Sequence, residues 1–199
     1  MMFQRSLSAA AVVAAALLLS GCFVVSKNVP AGKAASDERL VGAWVGVDDE
    51  GDTPADTAFL HFQLQDDATE PLRLVWVEGK NYQVYELITL DIAGKNVFAA
   101  KLVAPREAKN DKDMQAGYFI GFYEVNGDEA VFHMLDSQKV GETIGRGVVK
   151  GIKPPGKYDY ATLTGSPAEL ARVLASPEAD AGRGEDPARL RRLHPSVKK

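Results

Sequence analysis

Cysteine is almost absent from this sequence, with one in 199 residues, at position 22. A single cysteine excludes an intramolecular disulfide framework, a zinc site built on paired thiolates and C-x-x-C redox chemistry. Histidine is scarce as well, and His61, His133 and His194 are too scattered for their spacing to suggest a metal site. No G-x-S-x-G elbow, H-E-x-x-H pair or phosphate-binding glycine loop occurs. No catalytic residue can therefore be named, and the chain is expected not to be an enzyme. Excess positive charge is also lacking, since the formal net charge is −4, which makes nucleic acid a poor partner. The acidic stretch from Asp48 to Asp52 lacks the alternating ligands and distant Glu of a calcium loop and reads as a solvated turn. No metal or cofactor is expected.

What is present is a globular composition, 46% hydrophobic and 25% charged, in a length that suits one domain with tails. Arg5 near the amino terminus is followed by Ala9 to Leu19, an uninterrupted run of 11 small or apolar residues. A spanning helix needs about 20 such residues, whereas the apolar part of a secretory signal needs about 7 to 15. The run is followed at once by Leu19-Ser20-Gly21-Cys22.

That tetrapeptide resembles the lipobox of bacterial lipoproteins, with Leu at −3, small residues at −2 and −1, and Cys at +1. The resemblance implies a signal peptide over 1–21, cleavage before Cys22, and acylation of the Cys22 thiol and new amino group. Multiple acyl chains would hold the protein firmly, where one holds it only marginally. Position 23 is Phe rather than the Asp that family sorting rules associate with inner-membrane retention. The expected location is the outer membrane, with the domain facing the periplasm. Residues 22–36 read as the lipidated Cys and a flexible tether with a reach of roughly 20 Å.

From Leu40 the pattern becomes that of strands. Leu40 to Val47, Thr57 to Gln65, Leu72 to Glu78, Tyr82 to Ile92 and Asn96 to Val103 are separated by polar turn signals. In the second of these, Leu60, Phe62 and Leu64 alternate with His61, Gln63 and Gln65, the period of a half-buried strand. Tyr118 to Val125 and Ala130 to Leu135 suggest a hairpin around Asn126-Gly127. Residues 136–151 are ambiguous between a helical turn and a short strand, and Ala161 to Thr164 suggests a last edge strand. Ser166-Pro167-Ala168-Glu169 is a capping box. It opens a helix whose Leu170, Val173 and Leu174 form one apolar stripe, and Pro177 ends it. A β-rich domain over 37–176 is expected, followed by a disordered tail over 177–199, despite a possible helical turn at 188–193. The tail's Arg183, Arg189, Arg191, Arg192, Lys198 and Lys199 would be solvated or weakly drawn to anionic headgroups or peptidoglycan.

The fold class is thus mainly β, an antiparallel meander forming a small barrel or sandwich with a C-terminal capping helix. Leu40-Val41-Gly42-Ala43-Trp44 resembles the L-x-G-x-W signature of lipocalin-like (calycin) barrels. That resemblance implies a glycine that allows close backbone approach, and Trp44 plugging the closed end beneath a basic residue late in the chain, for which Arg146 is a possibility. Two strands, 82–92 and 118–125, are apolar on both faces, so something must cover the second face. The C-terminal helix is the nearest cover, and an exposed docking surface is the alternative. The expected function is binding of an apolar ligand or an envelope protein, with Trp44, Tyr85 and Tyr123 as candidate contacts. A purely structural role in an envelope complex and an enzyme with an unmarked site are the rivals. Cys22→Ser is expected to abolish both acyl-chain labelling and firm membrane fractionation; unchanged labelling and fractionation would contradict the anchoring assignment.

Overall fold

The computed structural model describes residues 24–54, 57–66, 70–104, 117–156 and 160–194. The expected signal peptide over 1–21 and the lipidation position Cys22 lie outside the described residues. In chain order the elements are β1 (Val24–Ser26), β2 (Lys33–Ala35), a 3-10 turn (Glu38–Leu40), β3 (Gly42–Val47), β4 (Phe59–Gln63), β5 (Leu72–Glu78), β6 (Asn81–Ile92), β7 (Lys95–Ala104), β8 (Tyr118–Asn126) and β9 (Glu129–Met134). Then come α1 (Ser137–Gly145), β10 (Gly151–Ile152), β11 (Ala161–Leu163), α2 (Pro167–Ala175), α3 (Pro177–Ala181) and β12 (Ala188–Arg192).

Strands β3 to β9 form an antiparallel meander, and β12 pairs with both β9 and β3 to close it into an eight-stranded barrel. Between barrel and sandwich, the chain adopts the barrel. Closure removes the free edges that an open sheet of this size would expose. The side-chain alternation read in β4 holds at Leu60 and Phe62, which are buried, and at His61 and Gln63, which are exposed. Leu64 falls beyond the strand and is exposed.

The doubled apolar character of β6 and β8 reflects two hydrophobic layers. Tyr85 and Leu87 on β6, with Phe119 and Tyr123 on β8, join the core inside the barrel. Leu90 and Ile92, with Ile120 and Phe122, pack outside it against Val140, Leu163, Leu170 and Leu174. The C-terminal helix α2 therefore covers the outer face, together with α1 and the small β1–β11–β10 extension. Its start is capped as the sequence reads, Ser166 accepting from the Glu169 backbone N–H at 3.3 Å. The Glu169 carboxylate accepts from the Lys150 backbone N–H at 3.0 Å, which ties the helix to the chain leading into β10. No helix among the described residues is long and apolar enough to cross a membrane.

Four local expectations require correction. The flexible tether expected over 22–36 contains β1, whose Val24, Val25 and Ser26 are all buried. That strand pairs in parallel with β11 and antiparallel with the start of β8, while β2 pairs with β6. Three-residue strands leave too short a pattern to recognise, because their partners lie far along the chain. The tail over 177–199, expected to be disordered, contains α3 and β12. Its 188–193 segment forms the strand Ala188–Arg192 rather than a helical turn, with Leu190 buried and Arg189 and Arg191 outward. Arg189 pairs with Asp49 at 3.0 Å, and Arg191 donates to the Gly51 carbonyl and Thr53 hydroxyl, both at 3.0 Å. Charge made this segment look solvated, whereas those charges have partners across the barrel seam. The domain accordingly runs over 24–194 rather than 37–176. The β8–β9 turn is Gly127-Asp128 rather than Asn126-Gly127, since Asn126 still pairs with Glu129 and Gly127 takes φ 60°.

Leu170→Ala is expected to cost about 2–5 kcal/mol through the cavity it leaves, and Ser166→Ala about 1 kcal/mol through the lost cap. Ending the chain after Ser176 removes β12 and should abolish cooperative unfolding. Urea denaturation followed by circular dichroism distinguishes these outcomes from α2 and β12 being mobile appendages, which would leave the transition unmoved.

Candidate functional site

One end of the barrel is sealed by a small cluster built from both ends of the domain. The chain enters through Asp37, whose carboxylate accepts from the Arg39 backbone N–H and so caps the 3-10 turn. That turn delivers the Leu40 carbonyl to Trp44, whose indole N–H donates to it at 2.7 Å. Trp44 is fully buried. Arg192, its register partner on β12, stacks with its guanidinium carbon 4.2 Å from the ring centroid. The same guanidinium donates to the Val41 carbonyl at 2.6 Å and to the Arg39 carbonyl. Gly42 completes the fit, with φ 123° and an Arg192 nitrogen 3.1 Å from where a Cβ would stand. A side chain there would meet both a forbidden backbone angle and the guanidinium.

Arg192 therefore fills the role for which Arg146 was the sequence candidate. Arg146 is exposed at the C-terminal end of α1. The hint available in the sequence was period 2 in Ala188 to Arg192, which places Leu190 and Arg192 on one face of a strand.

Tyr123 belongs to the same sealed end. Its hydroxyl donates to the Asp37 carboxylate at 2.8 Å, and Arg39 pairs with that carboxylate at 2.7 Å. Burial works to raise the Asp37 pKa, but the hydrogen bonds from Arg39 and Tyr123 outweigh it and hold Asp37 below the ordinary carboxylate value. Burial and the bond to Asp37 push the Tyr123 phenol above its usual range. This cluster is a fixed ionic clasp.

Beside the plug, the barrel interior leaves a chamber of about 100 Å³. Its wall is Leu60 and Phe62 from β4, Trp76 from β5, Tyr85 and Leu87 from β6, Phe98 and Ala100 from β7, Phe119 from β8, Phe132 and Met134 from β9, and Ala188 and Leu190 from β12. Engineered apolar cavities of about 150 Å³ stay dry and take up benzene, so the space is of the order that accepts a small apolar group. Aromatic rings order the wall: Phe132 stacks on Phe62 at 6.0 Å and on Tyr123 at 5.7 Å, and meets Phe98 edge-on at 5.5 Å.

Of the sequence candidates, Tyr85 lines the chamber, Trp44 plugs the end of the barrel, and Tyr123 lies behind Phe132. Burial pushes the Tyr85 phenol up to about 12, which keeps it neutral. Its hydroxyl donates to the Gln83 side-chain oxygen at 2.6 Å. Trp76 was missed by the sequence reading. Its indole nitrogen is buried and has no hydrogen-bond partner among the described residues. It occupies the inward register row of Leu60 and Gln83, and the alternation of Leu72, Leu74 and Trp76 was the signal that could have found it.

The histidines stay apart. His61 is exposed on β4, His133 is half-buried with its pKa lowered by burial, and His194 contacts Asp128 at 2.9 Å. The described residues hold no group of three side chains able to bind a metal.

Arg192→Ala is expected to lower stability by about 2–4 kcal/mol, from loss of a desolvated cation–π contact and of charge-assisted hydrogen bonds. Arg192→Lys should recover only part of this, because an ammonium cannot stack on the indole and bridge two carbonyls at once. Equal stability of the wild type and Arg192→Ala in urea titrations would refute the assigned role.

Comparison with known proteins yields no match: no family model, no curated protein and no solved structure matches this chain.

Proposed function

We propose that this chain is an outer-membrane lipoprotein, anchored at Cys22 and facing the periplasm, whose barrel takes a small apolar ligand into its interior without catalysing a reaction. The observation that carries this reading is the apolar chamber beside the Trp44–Arg192 plug. A cavity in a packed core forfeits dispersion contacts along its whole lining, and an apolar occupant restores them. The absence of catalysis is supported by the lining, where Tyr85 is the one ionisable side chain and burial holds it neutral.

The anchor has a geometric consequence. Strand β1 begins at Val24, so only Phe23 separates it from Cys22. Two residues of extended chain span at most about 7 Å, in place of the roughly 20 Å expected of a free tether. An acylated Cys22 would hold the barrel against the headgroups instead of suspending it above them.

A second reading, docking of an envelope protein, is favoured by one feature of the outer wall. Phe59, Val77 and Tyr82 are in register across β4, β5 and β6 and are 50%, 39% and 55% exposed. Mass spectrometry of protein gently extracted from its membrane separates the two, as it detects a retained small molecule or a retained protein. Tyr85→Ser should weaken small-molecule binding roughly tenfold, given about 1.5–3 kcal/mol for burying a large apolar side chain. Tyr123→Ser, behind the wall, should instead lower stability. Retention of neither kind of partner, with activity on an ester, glycan or peptide surviving purification, would replace this reading with the enzyme hypothesis.

A further inference from the structure

The short extension β10–β11–β1 that leads the chain toward Cys22 ends in an apolar, basic edge. Ile152 on β10 is 60% exposed, the most exposed large apolar side chain among the described residues. A lone exposed isoleucine needs no explanation, but the position of this one does. Ile152 is in register with Thr162 of β11, and Thr162 with Val25 of β1. Two strand spacings of about 4.8 Å separate it from Val25, and the three residues from Val25 back to Cys22 span at most about 11 Å. Ile152 therefore lies within roughly 20 Å of Cys22.

The second observation concerns charge. The stretch around Ile152 carries Arg146, Lys150 and Lys153 with no acid between them, in a chain whose formal net charge is −4. All three are exposed, and none forms an ion pair among the described residues, whereas Lys95, Lys139, Arg183 and Arg189 each meet a carboxylate. Of the neighbouring acids, Glu169 accepts from the Lys150 backbone N–H at 3.0 Å and Glu178 interacts with Arg146. Lys150 and Lys153 keep their charge unopposed. The exposed row of Phe59, Val77 and Tyr82 is elsewhere. Strand β1 continues the lane of β9 along β8, β9 pairing with residues 121–126 and β1 with 118 and 119. From that lane β5 is reached through β8, β7 and β6 or through β12, β3 and β4, so Val77 stands on the opposite wall.

Resting on the Cys22 anchor proposed above, we infer that the Lys150–Lys153 edge is a membrane-contact surface, with Ile152 entering the headgroup layer and Lys150 and Lys153 on anionic phospholipid. The anchor fixes how far the barrel can stand from the bilayer, and this edge fixes which wall faces it. An acidic protein is repelled by an anionic surface except through a patch of opposite sign, and that attraction acts within about 10 Å. Apolar burial adds to it where a side chain such as Ile152 reaches the acyl boundary. The wall of β5 is thereby turned away from the membrane.

Cys22 is the single native cysteine and is consumed by its lipid under the anchor reading, so Ile152→Cys and Val77→Cys each offer one thiol for an apolar spin label. The mature protein is extracted from its membrane and reconstituted in vesicles of phosphatidylcholine, with or without phosphatidylglycerol. With phosphatidylglycerol present, the label at 152 is expected to collide with dissolved oxygen and to be shielded from an aqueous nickel chelate, while the label at 77 stays open to the chelate. Lys150→Gln combined with Lys153→Gln should shift the ratio of contacting to free orientations about 30-fold toward free, at about 1 kcal/mol per lysine. Lys150→Arg with Lys153→Arg keeps the charge and should keep the contact, and circular dichroism checks that each variant is folded. Equal access of the chelate to both labels, in protein that stays on the vesicles, overturns this surface and leaves the anchor intact. Shielding at 152 that ignores both phosphatidylglycerol and the two lysines overturns the headgroup contact. A wild-type chain whose Cys22 thiol is free to react, and which leaves the vesicles, overturns the anchor and this inference with it.

Discussion

The stacking of Arg192 on Trp44 is the contact through which this barrel becomes a closed object. It joins the first barrel strand to the last in register, and the same guanidinium fastens the 3-10 turn that crosses the end of the barrel. One planar cation satisfies a ring face and two carbonyls, a combination that a flexible ammonium cannot reproduce. Without it, β12 would keep its ladder hydrogen bonds but lose the group that fixes where the ladder stops. The chain spends more than fifty residues between β9 and β12 on helices and short strands, and this contact brings it back to the right edge.

That excursion explains the second hydrophobic layer. A meander whose strands are apolar on one face needs no cover outside, but β6 to β8 are apolar on both. The long connection returns over them and buries Leu170 and Leu174 of α2 against Leu90, Ile92 and Phe122. Barrel closure and outer packing are consequences of the same segment. Truncating at the end of α2 would keep the cover but open the seam, and removing β1 would uncover β11 and the start of β8. The described strands belong to one continuous sheet, and the amino-terminal lipid attachment proposed for Cys22 is joined to it almost directly.

With the outer face of β6 to β8 covered and one end plugged, the chamber is an internal space in which the barrel wall is incompletely filled. Large rings at Phe62, Phe98, Phe119 and Phe132 hold the wall apart, because stacked and edge-on aromatic pairs fix ring positions that aliphatic side chains would repack to fill. The chamber is apolar because the inward residues that reach it from β4 to β9 and from β12 are apolar.

The sequence by itself determined the repeating elements and their period. The strands from β3 to β9, to within about two residues at their ends, the capped helix at Ser166 and the Gly42-Ala43-Trp44 start all follow from local rules: alternation, turn residues and a cap three positions from its partner. It also showed that strands 82–92 and 118–125 are apolar on both faces, so that the second face needed either a cover or a partner. Only the tertiary structure decided which face was inside, because period 2 is symmetric between the faces until the sheet curves. It alone recruited β1 and β12. Three buried residues at Val24 carry too short a pattern to read, and an Arg-rich segment reads as solvent until Asp49, Thr53 and Trp44 arrive from more than a hundred residues away. The orphaned Trp76 donor was likewise beyond the sequence, for a hydrogen bond left unmade is a property of what surrounds a residue and leaves no mark in the residue itself.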